Sequence, residues 1–197
     1  MPRDLCMSTT GDGFYIWNAS EGLDADVALF CTAMLSLAYS TSARDLTETQ
    51  SVPRLRCGIH FGNHYEYFQT ASSTTNAGSY IIGNVTIDLA RLLSKARQDQ
   101  LLIGAYTREL GESEAELKKT YGIAKIETPA FMAYAQQQFA KFVGLPIPGG
   151  KIAGVKAYLT GSQATDNIFS IKKYYVGDKH GIEHPCYNGK FNVQVSN

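Results

Sequence analysis

The sequence lacks a segment that reads as a membrane anchor. We find no window resembling the roughly 20 consecutive apolar residues that cross a bilayer. The N-terminal letters MPRDLCMSTTGDG do not combine a basic stretch with an apolar run, so they do not indicate a secretory signal. We therefore expect a cytoplasmic protein that has no membrane partner.

The sequence also lacks an excess of charge of either sign. Its 18 basic and 18 acidic residues cancel, and no block of Lys or Arg is present. A surface that binds nucleic acid needs such an excess, so we expect no nucleic-acid partner. The four cysteines, Cys6, Cys31, Cys57 and Cys186, are far apart and lie mostly in apolar runs, which predicts reduced thiols.

The 197 residues, 44% of them hydrophobic, suffice for one well-packed domain over 1–197. Up to about residue 107 the patterns predict a hairpin, a helix, a strand, a helix and a strand, which is an α+β alternation. Two helical candidates follow, RELGESEAELKKTYG and PAFMAYAQQQFAKFVG. The remaining residues read as strands, KIAGVKAYL, NIFSIKKYYV and KFNVQV, so the part 108–197 is first helical and then β-rich. The segment DKHGIEHPCYNG between the last two strands reads as turns.

The stretch STTGDGFYIW, residues 8–17, allows two interpretations of Asp12. Asp-Gly favours the tip of a hairpin, and the aromatic and β-branched residues after it favour a strand. An exposed turn aspartate is the simpler interpretation. The alternative is that Asp12 is a metal ligand.

Three motifs together resemble the catalytic domain of class III nucleotidyl cyclases, the family of adenylate and guanylate cyclases. They are TTGDGFYIW, RLRCGIHFG and IIGNVTIDLARLLSKARQDQLLIG, and they cover residues 8–107. The tail DKHGIEHPCYNGKFNV is similar to the end of divergent bacterial cyclases, including the pyrimidine cyclases of Pycsar antiviral defence. The resemblance implies a ferredoxin-like cyclase fold, with helices packed on a mixed or antiparallel sheet and a β-rich C-terminal extension.

The resemblance also implies an activity. A 3',5'-cyclic nucleotide forms when the ribose 3'-hydroxyl of an NTP attacks the α-phosphorus and pyrophosphate leaves. Two divalent ions, Mg²⁺ or Mn²⁺, serve this reaction in a homodimer whose site lies at the subunit interface. Asp12 corresponds to the metal aspartate of the hairpin. Arg91 corresponds to the arginine that stabilises charge on the α-phosphate, although an ion pair with Asp88 on the same helix would equally explain it.

Further residues take nucleotide-binding positions by the same resemblance. Gly11 and Gly13 would let the backbone approach the phosphates, and Lys179 could reach the triphosphate or solvent. Ser8 and Tyr80 stand where adenylate cyclases recognise the base, so standard adenine recognition is absent and cUMP or cCMP are plausible products. A zinc site among His180, His184 and Cys186 lacks an obvious fourth ligand.

Two departures from the family pattern put catalysis in doubt. Ile87 replaces the transition-state asparagine, and an isoleucine cannot hydrogen-bond the ribose. The first metal aspartate, which should precede the hairpin on a central strand, is not found in this chain. Either the chain starts inside a longer domain or it is a degenerate relative that binds nucleotide or dimerises without turnover. A third hypothesis is an unrelated α+β protein.

Overall fold

The computed structural model describes residues 5–46, 54–69, 78–160 and 173–196. It is mixed α and β, so the α+β prediction is confirmed at that level. Within these residues the helices are α1 (Leu23–Leu46), α2 (Asn84–Lys95), α3 (Ala115–Tyr121) and α4 (Thr128–Gln138). Short 3-10 helices span Glu112–Glu114 and Phe139–Phe142.

The strands form one larger sheet and three hairpin-like pairs. In chain order they are β1 (Leu5–Thr9), β2 (Phe14–Asn18), β3 (Cys57–Ile59), β4 (Tyr65–Gln69), β5 (Gly78–Ile82), β6 (Leu101–Gly104), β7 (Thr107–Glu109), β8 (Lys125–Glu127), β9 (Pro146–Ile147), β10 (Gly150–Thr160), β11 (Tyr174–Gly177) and β12 (Glu183–Ser196). The larger sheet has the order β3-β6-β12-β10-β9, with β11 also paired to β12. Separate pairs join β1 to β2, β4 to β5 and β7 to β8.

The second strand of the larger sheet is β6, whose residues LLIG are all buried. It pairs with β3 in parallel and with β12 antiparallel, and α2 lies in the connection from β3 to β6. A parallel pair needs such a crossover connection. The arrangement agrees with the predicted strand, helix, strand order; a ferredoxin-like fold is not established by it.

The N-terminal hairpin stands beside this sheet. α1 contacts β2, β1 lies next to β5, and Trp17 donates from Nε1 to the Glu66 carboxylate of β4 at 2.9 Å. The indole is 4% exposed. The two hairpins β1-β2 and β4-β5 are therefore attached to each other by a buried aromatic ring and its polar edge.

The core forms where α1 and α4 cover the larger sheet. Val27, Phe30 and Met34 recur at helical spacing on α1 and are buried. Phe30 meets Phe131 of α4 edge to face, with ring centroids 5.7 Å apart. Asp24 and Asp26 lie in the first turn of α1, where negative charge is favourable.

Three sequence predictions of local structure were wrong or incomplete. Strand β4 was not predicted, and only its last residue, Gln69, falls in the predicted loop QTASSTTNAGS. Arg108 and Glu109 belong to strand β7, so the helix predicted from Arg108 begins instead as a 3-10 turn at Glu112. The turn-rich segment before the last strand is largely part of β12, because β6, β11 and β10 each supply backbone partners for it. The ends of the predicted loop QTASSTTNAGS, residues 69–79, belong to β4 and β5, whereas 70–77 and the start of NIFSIKKYYV lie outside the described residues.

Helix α1 corrects the prediction that no segment is long and apolar enough to cross a bilayer. The segment Leu23–Ala43 is long and apolar enough to cross a membrane by length and composition alone. One third of it is buried in the protein, and core helices of soluble proteins satisfy the same criteria. Its contacts with α4 and β2 are those of a core helix, which is consistent with a soluble protein.

Candidate functional site

Asp12 lies at the exposed tip of the β1-β2 hairpin. The register ends at the pair Thr9 and Phe14, and the Thr10 N–H donates to the Gly13 carbonyl at 2.8 Å. The two central turn residues are therefore Gly11 and Asp12, one position earlier than the predicted Asp12-Gly13 step. Gly11 supplies the positive φ of 83° that this turn requires.

The hairpin tip is open around its backbone. A Cβ built on Gly11 would meet nothing within 4 Å, whereas one on Gly13 would touch the Thr10 hydroxyl at 3.2 Å. Gly11 is thus needed for its dihedral angle, and Gly13 for a close contact within the turn.

The two predicted base-recognition residues lie on adjacent strands. Ser8 is half-buried on β1 opposite Tyr15, and Tyr80 lies on β5 opposite Tyr67. β1 contacts β5, so the strands that carry Ser8 and Tyr80 are neighbours. Tyr80 is 45% exposed and forms part of an apolar surface, described below.

Arg91 projects from α2 into a cluster of charged side chains. Its Nε lies 3.2 Å from Oδ2 of Asp178, and its Nη1 lies 3.5 Å from Oδ1 of Asp88. The predicted ion pair with Asp88 is therefore present, but the shorter contact joins Arg91 to the turn between β11 and β12. The Arg91 side chain is 32% exposed.

His184 completes this cluster from the beginning of β12. Its ring nitrogens lie 3.5 Å from Oδ1 of Asp88 and 3.5 Å from Oδ2 of Asp178. Only a doubly protonated imidazole could donate from both nitrogens. Asp88, Arg91, Asp178 and His184 form what we call the Arg91 cluster, and it connects α2 to the C-terminal β11-β12 hairpin.

Asp178 is the most deeply placed carboxylate of the Arg91 cluster, with a side chain 7% exposed. Burial by itself would raise the pKa of Asp178. Hydrogen bonds from the backbone N–H groups of Ile182 and His180, then His184 and the charge of Arg91, outweigh that effect and lower the pKa to about 2. Asp178 therefore carries its charge throughout the physiological range.

The sequence interpretation singled out Arg91 and His184 but missed Asp178. The Asp178 carboxylate accepts hydrogen bonds from the backbone N–H groups of His180 and Ile182, and Gly181 between them has a φ of 76°. Aspartate shortly before a glycine favours a turn, so the residues DKHG, 178–181, do predict the turn. Nothing in the local letters could show that this turn faces α2.

Lys179 and the candidate zinc ligands are not gathered at one point. Lys179 and His180 are exposed in the turn after Asp178, whereas the Cys186 thiol is fully buried beside Leu92 and Val176. Because the side chains of strand residues 184 and 186 differ in exposure and neighbours, the proposed zinc set does not assemble. His60 has a packing role, with its ring against Gly104 of β6.

The described residues of one copy do not fit a two-metal site. In the ranges that the structure covers, no group of three His, Cys, Asp or Glu side chains is placed to hold a metal ion. Asp12 is the carboxylate at the hairpin tip, and a single carboxylate leaves most coordination positions of two metal ions to other ligands.

A second group of buried charged side chains lies at the N-terminus of α1, and no sequence motif predicts it. Arg108 of β7 contacts Glu114 at 2.7 Å and Asp26 at 3.2 Å. Burial raises the pKa of Asp26 to about 6, while Arg108 and the Asn18 amide act in the opposite direction. Burial also acts to raise the pKa of Glu114, but hydrogen bonds from Arg108, Gly111 and Leu23 keep it below the usual value.

Comparison with protein-family models, with curated proteins and with solved structures found no match for this chain.

Proposed function

We propose that this chain is a nucleotidyl cyclase domain that converts an NTP into a 3',5'-cyclic nucleotide and pyrophosphate. The observation that carries the proposal is the fixed position of Arg91. A buried carboxylate holds its guanidinium by Nε, while the side chain stays about one third exposed. A guanidinium of fixed direction that solvent can reach is suited to the phosphates of a nucleotide.

The N-terminal hairpin and its neighbour β5 also support the proposal. Gly11 and Asp12 present an unobstructed turn, and β1 and β5 bring the strands of Ser8 and Tyr80 together. Neither residue is the usual partner of adenine, which favours a pyrimidine NTP and cUMP or cCMP as products, with a role in antiviral signalling in the cytoplasm. Mg²⁺ or Mn²⁺ would be carried in by the triphosphate, because the described residues of one copy offer no group of three metal ligands.

An exposed apolar face supports a homodimer. Tyr65 pairs with Ile82 and Tyr67 with Tyr80 across β4 and β5, so all four side chains lie on one face of that hairpin. Their exposed fractions are 82%, 60%, 59% and 45%, in that order. Contiguous apolar surface of this kind marks a contact site. A second copy is the partner that would complete a site containing both Asp12 and Arg91.

A specific observation favours a second candidate function, a cyclase-like module that binds nucleotide or dimerises without turnover. The described residues offer no three-ligand metal group, and Ile87 is 50% exposed where a ribose-binding amide would be needed. An isoleucine at that position cannot orient a hydroxyl for attack.

One experiment separates the two candidates. The purified chain is incubated with each of the four NTPs and Mn²⁺, NTP binding is measured by calorimetry, and products are identified by mass spectrometry. A cyclic nucleotide that disappears in Asp12→Ala but persists in Asp99→Asn supports the cyclase. NTP binding without product supports the second candidate, and loss of both binding and product overturns both.

A further inference from the structure

Asp178 divides its two carboxylate oxygens between two different tasks. Oδ1 accepts the backbone N–H groups of His180 at 2.8 Å and Ile182 at 3.0 Å. Oδ2 lies 3.2 Å from Nε of Arg91 and 3.5 Å from Nε2 of His184. One oxygen of Asp178 therefore stabilises the turn 178–182, and the other contacts the Arg91 guanidinium.

This arrangement gives Arg91 a direction that α2 alone would not impose. An arginine side chain has several rotatable bonds and loses considerable entropy when ordered. Asp88 on the same helix contributes only the longer contact of 3.5 Å and is itself 33% exposed. Asp178 is nearly buried and anchored by two backbone donors, so it is the rigid partner.

The contact also uses the side of the guanidinium that phosphate recognition does not need. With Nε turned to Asp178, the remaining donors of Arg91 are on its two Nη atoms, of which Nη1 also lies 3.5 Å from Oδ1 of Asp88. Those atoms form the end of the planar fork, which can bind an oxyanion with two parallel hydrogen bonds.

We infer that Asp178 is the positioning residue for Arg91: through Oδ2 it fixes the guanidinium so that the Nη atoms meet a phosphate oxygen of the bound NTP. The inference rests on the proposed function, since it needs a nucleotide at Arg91. Asp178 does not touch the nucleotide and acts through Arg91. A competing possibility is that Asp178 restrains Arg91 in an inactive position, which predicts the opposite sign in the test.

The test uses Asp178→Asn, which keeps an oxygen for the two backbone donors and replaces only the atom that faces Arg91. Asp99→Asn is the matched control, because Asp99 pairs with Arg54 at 3.6 Å in an exposed contact distant in sequence from this turn. NTP affinity and kcat/KM are measured for both variants. We expect Asp178→Asn to lower NTP affinity and kcat/KM by about ten- to hundredfold, as for other residues that orient a functional group. Asp99→Asn should leave both quantities unchanged.

A double-mutant cycle separates positioning from general structure. In an Arg91→Ala background, Asp178→Asn should have almost no further effect, because the residue through which it acts is gone. The Nε–H resonance of Arg91 in the NMR spectrum should be distinct in the native chain and lost or averaged in Asp178→Asn. This readout reports the ordering of Arg91 whether or not the chain turns over.

Each result decides between named outcomes. Equal NTP affinity and kcat/KM in the native chain and Asp178→Asn, or an equal loss in the Arg91→Ala background, overturns the inference and leaves the proposed function intact. A gain in Asp178→Asn overturns positioning in favour of restraint. A native chain that binds no NTP overturns the proposed function, and the inference with it.

Discussion

Arg108 donates a hydrogen bond to the buried carboxylate of Glu114 across 2.7 Å. Glu114 is 6% exposed and also accepts the backbone N–H groups of Leu23 and Gly111. A single carboxylate thus joins the first residue of α1, strand β7 and the 3-10 turn before α3. The contact is a structural joint, because it satisfies the free N–H at the start of a core helix.

Replacing Glu114 by alanine should therefore destabilise the protein strongly. Arg108 would lose its closest partner, and the two backbone donors would stay buried without acceptors. We expect the free energy of unfolding to fall by about 3–5 kcal/mol, the range for breaking a buried ion pair. Urea denaturation followed by circular dichroism measures it. Glu112→Ala, an exposed glutamate of the same 3-10 turn, should change stability by less than about 0.5 kcal/mol; equal losses in both would contradict the joint.

Asp26 should make stability depend on pH in a defined window. Its pKa is about 6 in the folded protein against 3.8 for an ordinary aspartate, so the folded state holds the proton that the unfolded state releases. This contribution favours folding at low pH and is lost as the pH rises from about 4 to about 6, with an amplitude of about 2–3 kcal/mol. Groups such as Glu114, whose pKa is lowered, act in the opposite direction.

The difference between the native chain and Asp26→Asn isolates that contribution. The free energy of unfolding is measured in urea at several pH values from 4 to 7. Relative to the native chain, Asp26→Asn should gain stability as the pH rises through the window. Asp24→Asn is the control, because Asp24 lies in the same turn, is exposed and keeps an oxygen for the Tyr134 hydroxyl at 2.9 Å. If Asp26→Asn and the native chain have parallel pH profiles, the shifted titration belongs to another group.

The contrast between Asp12 and Asp178 shows which features of the fold and the site could be predicted from the sequence. The β1-β2 hairpin, apart from a turn one residue earlier than predicted, and helix α1 were predictable, because turn chemistry and helical periodicity are encoded in neighbouring residues. The Arg91–Asp178 and Arg108–Asp26 contacts join residues far apart in the chain, and no local pattern specifies which charges will meet. Strand β12 was missed in part for the same reason, since its first half is extended by partners from β11 and β6 and not by its own β propensity.

Gly104 is required by the histidine ring that covers it. A Cβ added at Gly104 would overlap the ring atoms of His60; Gly104 is the last residue of β6, and His60 directly follows its parallel neighbour β3. Gly104→Ala should lower the free energy of unfolding by about 1–3 kcal/mol through overpacking. Chemical denaturation checks this value.

Two further variants make the Gly104 prediction specific. Gly177→Ala on β11 is the control, because its added Cβ would meet nothing within 4 Å, and we expect little change. His60→Ala combined with Gly104→Ala should recover part of the loss, since the added methyl group then has space. A double variant no more stable than the sum of the two single changes would show that the ring is not the obstacle.

The apolar face of the β4-β5 hairpin should control self-association. Replacing Tyr67 and Tyr80, which pair across the two strands, by serine should raise the dimer dissociation constant by at least about tenfold, because exposed aromatic residues supply most of the energy of such contacts. Sedimentation velocity over a range of concentrations measures it. Tyr39→Ser on α1, where the tyrosine is 58% exposed, is the control and should not change the constant. A native chain that is monomeric at all concentrations would contradict a dimer through this face.

Mixing two inactive variants tests whether one active site draws on two copies. If Asp12 comes from one subunit and Arg91 from its partner, each heterodimer of Asp12→Ala and Arg91→Ala contains one site with both changes and one intact site. After subunit exchange at equal concentrations, half of the dimers are mixed, so NTP cyclisation should return to about a quarter of the native rate. The same mixture built on serine changes at Tyr65 and Ile82, which lie on the same apolar face and are not base-recognition candidates, should stay inactive, because the subunits no longer associate. If the first mixture also stays inactive while the native chain produces cyclic nucleotide, Asp12 and Arg91 serve the same site within one subunit, and the hairpin face has a purpose other than completing the catalytic centre.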